Sequence, residues 1–131
     1  MKTEKNNRRR GEEAEKLAAE YLERNGYRIL ERNYHFSHNE TDIIAEDDTY
    51  IIFVEVKARK NTEASLRFGR PAAAVTKSKQ LRLIECARGY LATHFTSKQP
   101  RLDVIELYIN SDGAITKRNT EIKHIKNAFH S

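Results

Sequence analysis

Apolar and polar positions show two different periodicities in the first half of the chain, one typical of a helix and one typical of strands. Residues 12–25 have their apolar side chains at helical spacing, followed by Gly26 as a C-terminal stop. These apolar positions are Ala14, Leu17, Ala18, Tyr21 and Leu22. Residues 27–32, 41–45 and 50–58 instead predict three strands, the last two joined by an acidic turn at residues 46–49.

The second half continues with one helix and at least one strand. A helix is predicted over residues 77–93, and a strand over residues 102–109. The buried stripe expected for this helix is Leu81, Ile84, Ala87 and Leu91. Further expectations are a loop over residues 59–75, a turn at residues 111–113 and a short return strand at residues 114–116, while residues 122–129 fit a strand or a helix. The order αβββαβ(β) predicts an α/β protein with helices packed against a mixed sheet.

Length and composition narrow the class of protein. A chain of 131 residues favours one domain. No apolar run approaches the ~20 residues of a membrane span, and the basic start has no apolar segment behind it, so we expect neither a membrane protein nor a signal peptide. Cys86 is the one cysteine, so an internal disulfide is excluded. Because it lies within a predicted helix, we expect it to pack at the edge of the core. We therefore expect a soluble, cytoplasmic protein.

Charge is distributed unevenly around a net value of +5. Residues 1–10 are predicted to form a flexible basic arm ahead of a single domain of residues 11–131. Residues 11–56 hold twelve acidic and four basic side chains, whereas residues 57–82 hold eight basic and one acidic. An acidic block beside a basic block suits a metal-dependent enzyme that acts on a polyanion, and ordinary surface charge is the alternative.

The second and third strands carry the strongest candidate chemistry. In a hairpin turning near residues 47–48, Asp42 falls opposite residues 53–55, and Glu55 and Lys57 share one strand face. Two carboxylates held close together repel unless a cation lies between them, and oxygen ligands suit Mg²⁺. An ammonium beside such an ion can orient a water or balance phosphate charge. The pattern fits phosphodiester hydrolysis, but Glu-x-Lys is equally common as a surface salt bridge.

These residues carry a resemblance to a known class of enzymes. Asp42 followed by Glu55-x-Lys57 resembles the active-site motif of PD-(D/E)XK nucleases. The wider pattern resembles the YraN-type family of small, largely uncharacterised bacterial proteins, which are similar to Holliday-junction resolvases. The stretches that match are residues 11–27, Arg32-Asn33, residues 40–45, residues 53–57 with Arg59, Phe68-Gly69 with Pro71, Lys79, residues 102–104 and residues 127–129.

The resemblance implies a fold and a set of roles. It implies a restriction-endonuclease-like mixed sheet flanked by helices, with Mg²⁺ or Mn²⁺ held by Asp42, Glu55 and the carbonyl of Val56. Lys57 would be the catalytic lysine, and Glu15 on the first helix would complete the acidic cluster, the alternative being a solvated glutamate. Glu40 fits either a residue that supports the ligands or a turn residue.

Several other positions have more modest expectations. The family usually has glycine where this chain has Ala14 and Asn39; asparagine tolerates a left-handed backbone, so the turn can survive. His35 and His38 are interpreted as loop histidines, with a contribution to metal binding as the alternative. Asp103 matches the family and could cap or pair within the sheet.

The expected partner is DNA. Phosphate contacts are predicted from basic residues around the 59–75 loop and the start of the second helix, with a solvated basic face as the alternative. These residues are Arg59, Arg67, Arg70, Lys77 and Lys79. The prediction is an Mg²⁺-dependent endonuclease acting on branched or structured DNA. The alternative is a non-catalytic nucleic-acid-binding protein that keeps the fold. Symmetric cleavage of a junction implies a homodimer, through the second helix or residues 122–129.

Overall fold

Five strands form one mixed sheet with a helix on each face. The computed structural model describes residues 2–60, 75–110 and 120–129. The elements are α1 (Lys2–Arg24), β1 (Arg28–Phe36), β2 (Asn39–Glu46), β3 (Tyr50–Lys60), α2 (Lys77–Thr93), β4 (Gln99–Ile109) and β5 (Thr120–Ile125). The strands lie in the order β1-β2-β3-β4-β5. The β3–β4 pair is parallel and the other three pairs are antiparallel.

This architecture confirms the predicted α/β class and is compatible with a restriction-endonuclease-like fold. The uncertain segment at the end of the chain begins as the strand β5. The predicted turn at residues 111–113, the return strand at residues 114–116 and most of the 59–75 loop lie outside the described residues.

The two faces of the sheet bury different helices because strand side chains alternate. Ala18 and Leu22 of α1 pack against Ile43, Ile52 and Ile105 on one face. On the other face, a second cluster joins α2 to β2 and β3 through Ala87, Tyr90, Ile44, Ile51 and Phe53. Asp42 and Glu55 share the side-chain parity of Ile44 and Phe53, so both point toward the α2 face.

Two predictions about the helices are wrong. Helix α1 begins at Lys2 instead of Glu12, so residues 2–10, predicted as an arm ahead of the helix, continue it. Lysine, arginine and glutamate are good helix formers, and a polar stretch can therefore extend a helix without any apolar stripe. In α2 the expected buried residue Leu81 is 56% exposed, and Leu83, Cys86 and Tyr90 lie in the buried face. The buried arc is centred near residue 87, and Leu81 lies beyond its edge.

The end of the β1–β2 hairpin is attached to α2. The ring of Phe36 packs where a side chain at Gly89 would stand, so the helix needs glycine there. Asn39 is buried and donates from Nδ2 to Glu85 Oε2 on α2, at 3.1 Å. The left-handed residue of this connection is Ser37, with φ of 58°, rather than Asn39. Asn39 therefore acts as a side-chain tether that fixes the start of β2 on α2.

Candidate metal centre

The register of the β2–β3 hairpin brings the two predicted carboxylates together. The ladder ends with the pair of Ile43 and Val54, and Asp42 and Glu55 are the next residue of each strand beyond it. Asp42 Oδ2 accepts a 2.8 Å hydrogen bond from the N–H of Val56. Asp42 therefore contacts the backbone of β3 beside Glu55, as its predicted place in the hairpin requires. The structure describes the N–H of Val56, while the ligand role of its carbonyl stays a prediction.

The surroundings of Asp42 favour the neutral acid when no cation is present. Burial, followed by the charge of Glu55, raises the pKa of Asp42 to about 7 from 3.8, against the opposing effect of the Val56 N–H. Glu15 and Glu40 add to the same shift. A divalent ion would reverse this balance, because it turns the repulsion between carboxylates into shared attraction.

Two lysines converge on one oxygen of Glu55. Lys79 Nζ lies 3.1 Å and Lys57 Nζ 3.7 Å from Glu55 Oε1. Burial and the contact with Lys79 lower the pKa of Lys57. For Lys79, burial alone would lower the pKa, but the Glu55 carboxylate outweighs it and the net shift is upward. The two ammonium groups thus neutralise an almost fully buried carboxylate from two different elements.

Local helix chemistry sets the position of Lys79. The Oγ1 of Thr76 accepts from the N–H of Lys79 at 3.2 Å and caps α2. Lys79 is therefore in the first helical turn, where α2 has no acidic side chain. Helix N-termini carry positive partial charge, so a lysine in this turn adds to an electropositive point that suits an anion.

Glu15 on α1 interacts with the carboxylates of Asp42 and Glu55 through their charges. Its Oε1 atom is buried and has no hydrogen-bond partner within the described chain. Burial raises the pKa of Glu15, and Glu40, Glu12 and Glu55 push it in the same direction, whereas Arg32 opposes them. An oxygen in this position does not behave as a solvated glutamate, and an added cation would give it a partner.

A cavity of about 230 Å³ opens beside these groups. Its lining residues are His38, Asn39, Glu40, Asp42, Glu55, Lys79, Arg82 and Leu83. Carboxylates line one part of it and cations from α2 another, which suits a metal ion together with an anionic group. His35 lies 3.8 Å from Glu40 across the edge strands, and both side chains are largely exposed.

The donor set fits a hard dication that keeps part of its water shell. Over residues 2–60, 75–110 and 120–129, no three His, Cys, Asp or Glu side chains converge as a complete ligand cage. Mg²⁺ commonly binds through one or two carboxylates, with waters and substrate phosphate in the remaining positions. Asp42 and Glu55 supply that minimum, and the orphaned Glu15 oxygen fits a role toward the ion or its waters.

The predicted phosphate-binding residues are divided by the structure. Lys79 lines the cavity, and Lys77 is exposed two residues before it on α2. Arg59 lies on β3 and forms an ion pair with the buried Glu106, at 3.2 Å. Arg67 and Arg70 lie outside the described residues.

Sequence reasoning missed two residues on the α2 face. Arg82 lines the cavity, and its spacing of three from Lys79 on a predicted helix could have indicated this. Glu106 is fully buried, and no pattern in the apolar sequence around it indicates that it has a charged partner.

Asp103 and Cys86 have structural surroundings. Asp103 accepts hydrogen bonds from Arg101, His124 and the N–H of Asn127, so it pairs within the sheet. Cys86 is fully buried in α2, and burial raises the pKa of its thiol. Neither residue adds a group to the cavity beside Asp42.

The structure defines a mixed α/β protein whose central hairpin carries two carboxylates and a lysine, and comparison with known sequences gives its family. The chain belongs to the uncharacterised protein family UPF0102, whose sequence profile matches residues 14–107. The predicted membership of a family of small bacterial proteins is confirmed. No described helix has both the length and the hydropathy that a membrane crossing requires.

The relatives of this chain are similar to it over most of both sequences. A UPF0102 protein from Chlorobium chlorochromatii is 44% identical over 119 residues, covering 91% of this chain and 89% of the relative. One from Chlorobaculum tepidum is 46% identical over 123 residues, covering 91% and 90%. One from Caldanaerobacter subterraneus is 41% identical over 120 residues, covering 91% and 93%.

Proposed function

We propose that this protein is a divalent-metal-dependent endonuclease that hydrolyses phosphodiesters in branched or structured DNA. The observation that carries the proposal is the meeting of Asp42, Glu55 and Lys57 at one point of the hairpin, beside a cavity that α2 lines with cations. A surface salt bridge does not account for this arrangement, because Glu55 is 4% exposed and Asp42 is held by a backbone N–H.

The metal would be held by Asp42 and Glu55, with Glu15 toward it from α1. A bound Mg²⁺ or Mn²⁺ would polarise the phosphoryl oxygen and lower the pKa of an attacking water. The chain's own residues prepare the site: the Val56 N–H fixes one oxygen of Asp42, which leaves its other oxygen for the ion.

Lys57 is the catalytic lysine in this proposal. It shares the strand face of Glu55 and contacts that carboxylate. Burial and the neighbouring Lys79 lower its pKa, which makes its amine easier to deprotonate than that of an exposed lysine. A group of this kind can hold a proton from the attacking water or donate one to the leaving oxygen.

The surface around the site suits a polyanion. Lys79 and Arg82 line the cavity from the N-terminal half of α2, where the helix dipole adds positive charge. Contacts of this type read the DNA backbone and not the bases. A preference for branched DNA rests on the resolvase resemblance, as does a homodimer with two active sites.

The test is incubation with junction, flap, single-stranded and linear duplex DNAs, with and without Mg²⁺ or Mn²⁺. The proposal expects metal-dependent cleavage, greatest on a branched substrate and abolished by Asp42→Asn. Glu46→Gln is the matched control, because Glu46 is also a buried carboxylate of β2 but pairs with Arg28 and Lys98. Binding without cleavage of any substrate would instead support the non-catalytic alternative.

A further inference from the structure

A buried carboxylate on β4 stands beside the cationic end of the β3 motif. Glu106 is fully buried, and its register partner across the parallel strand pair is Lys57. The next pair in the same rows is Arg59 with Tyr108. Because alternate residues share a face, the Glu55, Lys57 and Arg59 side chains form one row and Glu106 and Tyr108 form the row beside it.

Arg59 approaches the Glu106 carboxylate most closely through its Nε atom. Glu106 Oε2 lies 3.2 Å from Arg59 Nε and accepts a 2.8 Å hydrogen bond from the hydroxyl of Tyr108. A guanidinium that a carboxylate approaches at Nε keeps a second donor edge, formed by its two terminal nitrogens, and this edge suits a phosphate. The Arg59 side chain keeps 28% exposure, whereas that of Glu106 has none.

The energetics of Glu106 argue for more than a stabilising role. Its Oε1 atom is buried without a hydrogen-bond partner within the described chain. An unpaired buried polar atom costs folding free energy, and a well-packed apolar residue at such a position is often as stable or more so. A buried polar group that lowers the stability of the protein is expected beside a functional site when the site needs that group in its position.

We infer that Glu106 is a positioning residue that, together with Tyr108, orients Arg59 to bind a phosphate of the nucleic-acid backbone next to the metal centre. The inference rests on the proposed function and adds to it the residues that orient one predicted phosphate contact. The phosphate bound there would belong to a nucleotide adjoining the one at Lys57, because Arg59 is two residues further along the same strand face.

The charge of Glu106 gives this inference a distinctive test. Removing a negative charge near a DNA-binding surface strengthens binding on electrostatic grounds alone. If Glu106 orients Arg59, Glu106→Gln should instead weaken binding, because the arginine loses its fixed direction. A purely structural role would alter stability while leaving the sign of the electrostatic effect unchanged.

The experiment measures the affinity of a fluorescent four-way junction and a duplex over a series of salt concentrations in Mg²⁺. Every protein carries Lys57→Ala so that the DNA stays intact. Arg59→Gln should weaken binding about five- to tenfold at 0.1 M salt and reduce the slope of log affinity against log salt by about one. Glu106→Gln should weaken it in the same direction, and the double variant should be no weaker than Arg59→Gln alone.

Two further variants separate the explanations. Tyr108→Phe leaves the charge unchanged and should also weaken binding, so the inference does not depend on Glu106→Gln folding well. Glu46→Gln, the matched buried carboxylate, should not weaken it. Equal or tighter binding by both Glu106→Gln and Tyr108→Phe would overturn the inference while leaving the proposed function intact. Absence of DNA binding by the Lys57→Ala parent and by the wild-type protein would overturn both.

Discussion

The carboxylate of Asp42 accepts a 2.8 Å hydrogen bond from the backbone N–H of Val56 on β3. It does so although the carboxylate of Glu55, the residue before Val56, repels it. The hydrogen bond keeps the carboxylate in a position that its own charge disfavours. Burial and this repulsion together raise the pKa of Asp42 to about 7. The site therefore holds unfavourable free energy that a bound cation would release.

The first prediction concerns Asp42 and pH. Its pKa is 3.8 in an unperturbed chain and about 7 in the folded protein, so the folded state binds more protons between these values. Stability of the metal-free protein should therefore fall as pH rises from about 4 to 7 because of this group. In EDTA at pH 8, Asp42→Asn should be more stable than the wild type, by urea unfolding.

Asp47, on the same hairpin, should change the stability of the protein with pH in the opposite direction. The N–H of Tyr50 lowers its pKa, with the N–H of Thr49 contributing despite the opposing effect of burial. A lowered pKa contributes stability above about pH 4 that is lost on acidification. Asp47→Asn should therefore destabilise the protein at neutral pH. If Asp42→Asn destabilised the metal-free protein in the same way, the electrostatic account of the site would be wrong.

The second prediction separates catalysis from binding at Lys57. Lys57→Ala should abolish metal-dependent cleavage while retaining binding of both Mn²⁺ and DNA, because the lysine acts on the water and phosphate. Gel assays of cleavage and anisotropy measurements of binding would check this. Lys57→Arg should also fail to cleave, since arginine keeps its proton at any working pH. Cleavage that persisted in Lys57→Ala would point to another site or to a contaminating nuclease.

The third prediction concerns the polar cluster on the opposite face of the sheet. Asp103 is fully buried, and Arg101 binds it through Nε at 2.9 Å and Nη2 at 2.8 Å. His124 Nε2 lies 2.7 Å from the same carboxylate. Asp103→Ala would leave Arg101 buried without its carboxylate, so thermal or urea unfolding should show a loss of about 3–5 kcal/mol.

Tyr21→Phe is the control for that cluster. It removes one 3.1 Å hydrogen bond to His124 Nδ1 and should cost only about 0.5–1.5 kcal/mol. Because the cluster contributes no side chain to the cavity beside Asp42, neither variant that remains folded should change the Mn²⁺ affinity. A change in metal affinity in Tyr21→Phe would show that the two faces are coupled.

The fourth prediction concerns assembly. The structure buries Phe129 and packs Ile122 against the core, which leaves α2 as the better candidate of the two predicted interfaces. Leu81 is exposed on α2, and Phe95 follows the helix with 98% exposure. Light scattering should show a dimer alone or on a DNA junction, and Leu81→Glu should reduce it. A monomer at tens of micromolar in both conditions would exclude symmetric junction cleavage while leaving metal-dependent nicking possible.

Much of the fold could be predicted because its signals are local. The apolar run of β3 and the acidic turn before it fix the hairpin, and the hairpin alone places Asp42 opposite Glu55. The bounds of α2 were also predictable, since Thr76 caps one end and the apolar spacing continues to Thr93. The start of α1 was not, because its polar first turns show no amphipathic period.

The features that could not be predicted depend on contacts between residues that are distant in the sequence. Glu106 lies between apolar residues in the second half of β4, and only the parallel pairing of β3 with β4 reveals that it adjoins Lys57. Asn39 looks like a turn residue in the sequence, but its amide reaches Glu85 on α2. Leu81 matches the apolar spacing of α2, yet the position of the helix on the sheet leaves it exposed.

The most direct test of the central claim is calorimetric titration of the purified protein with Mn²⁺. The account predicts one divalent-ion site per chain, greatly weakened in Asp42→Asn and retained in Glu46→Gln, because only the first variant removes a carboxylate of the centre. Equal Mn²⁺ binding by the wild type and Asp42→Asn, or no binding by the wild type, would contradict it.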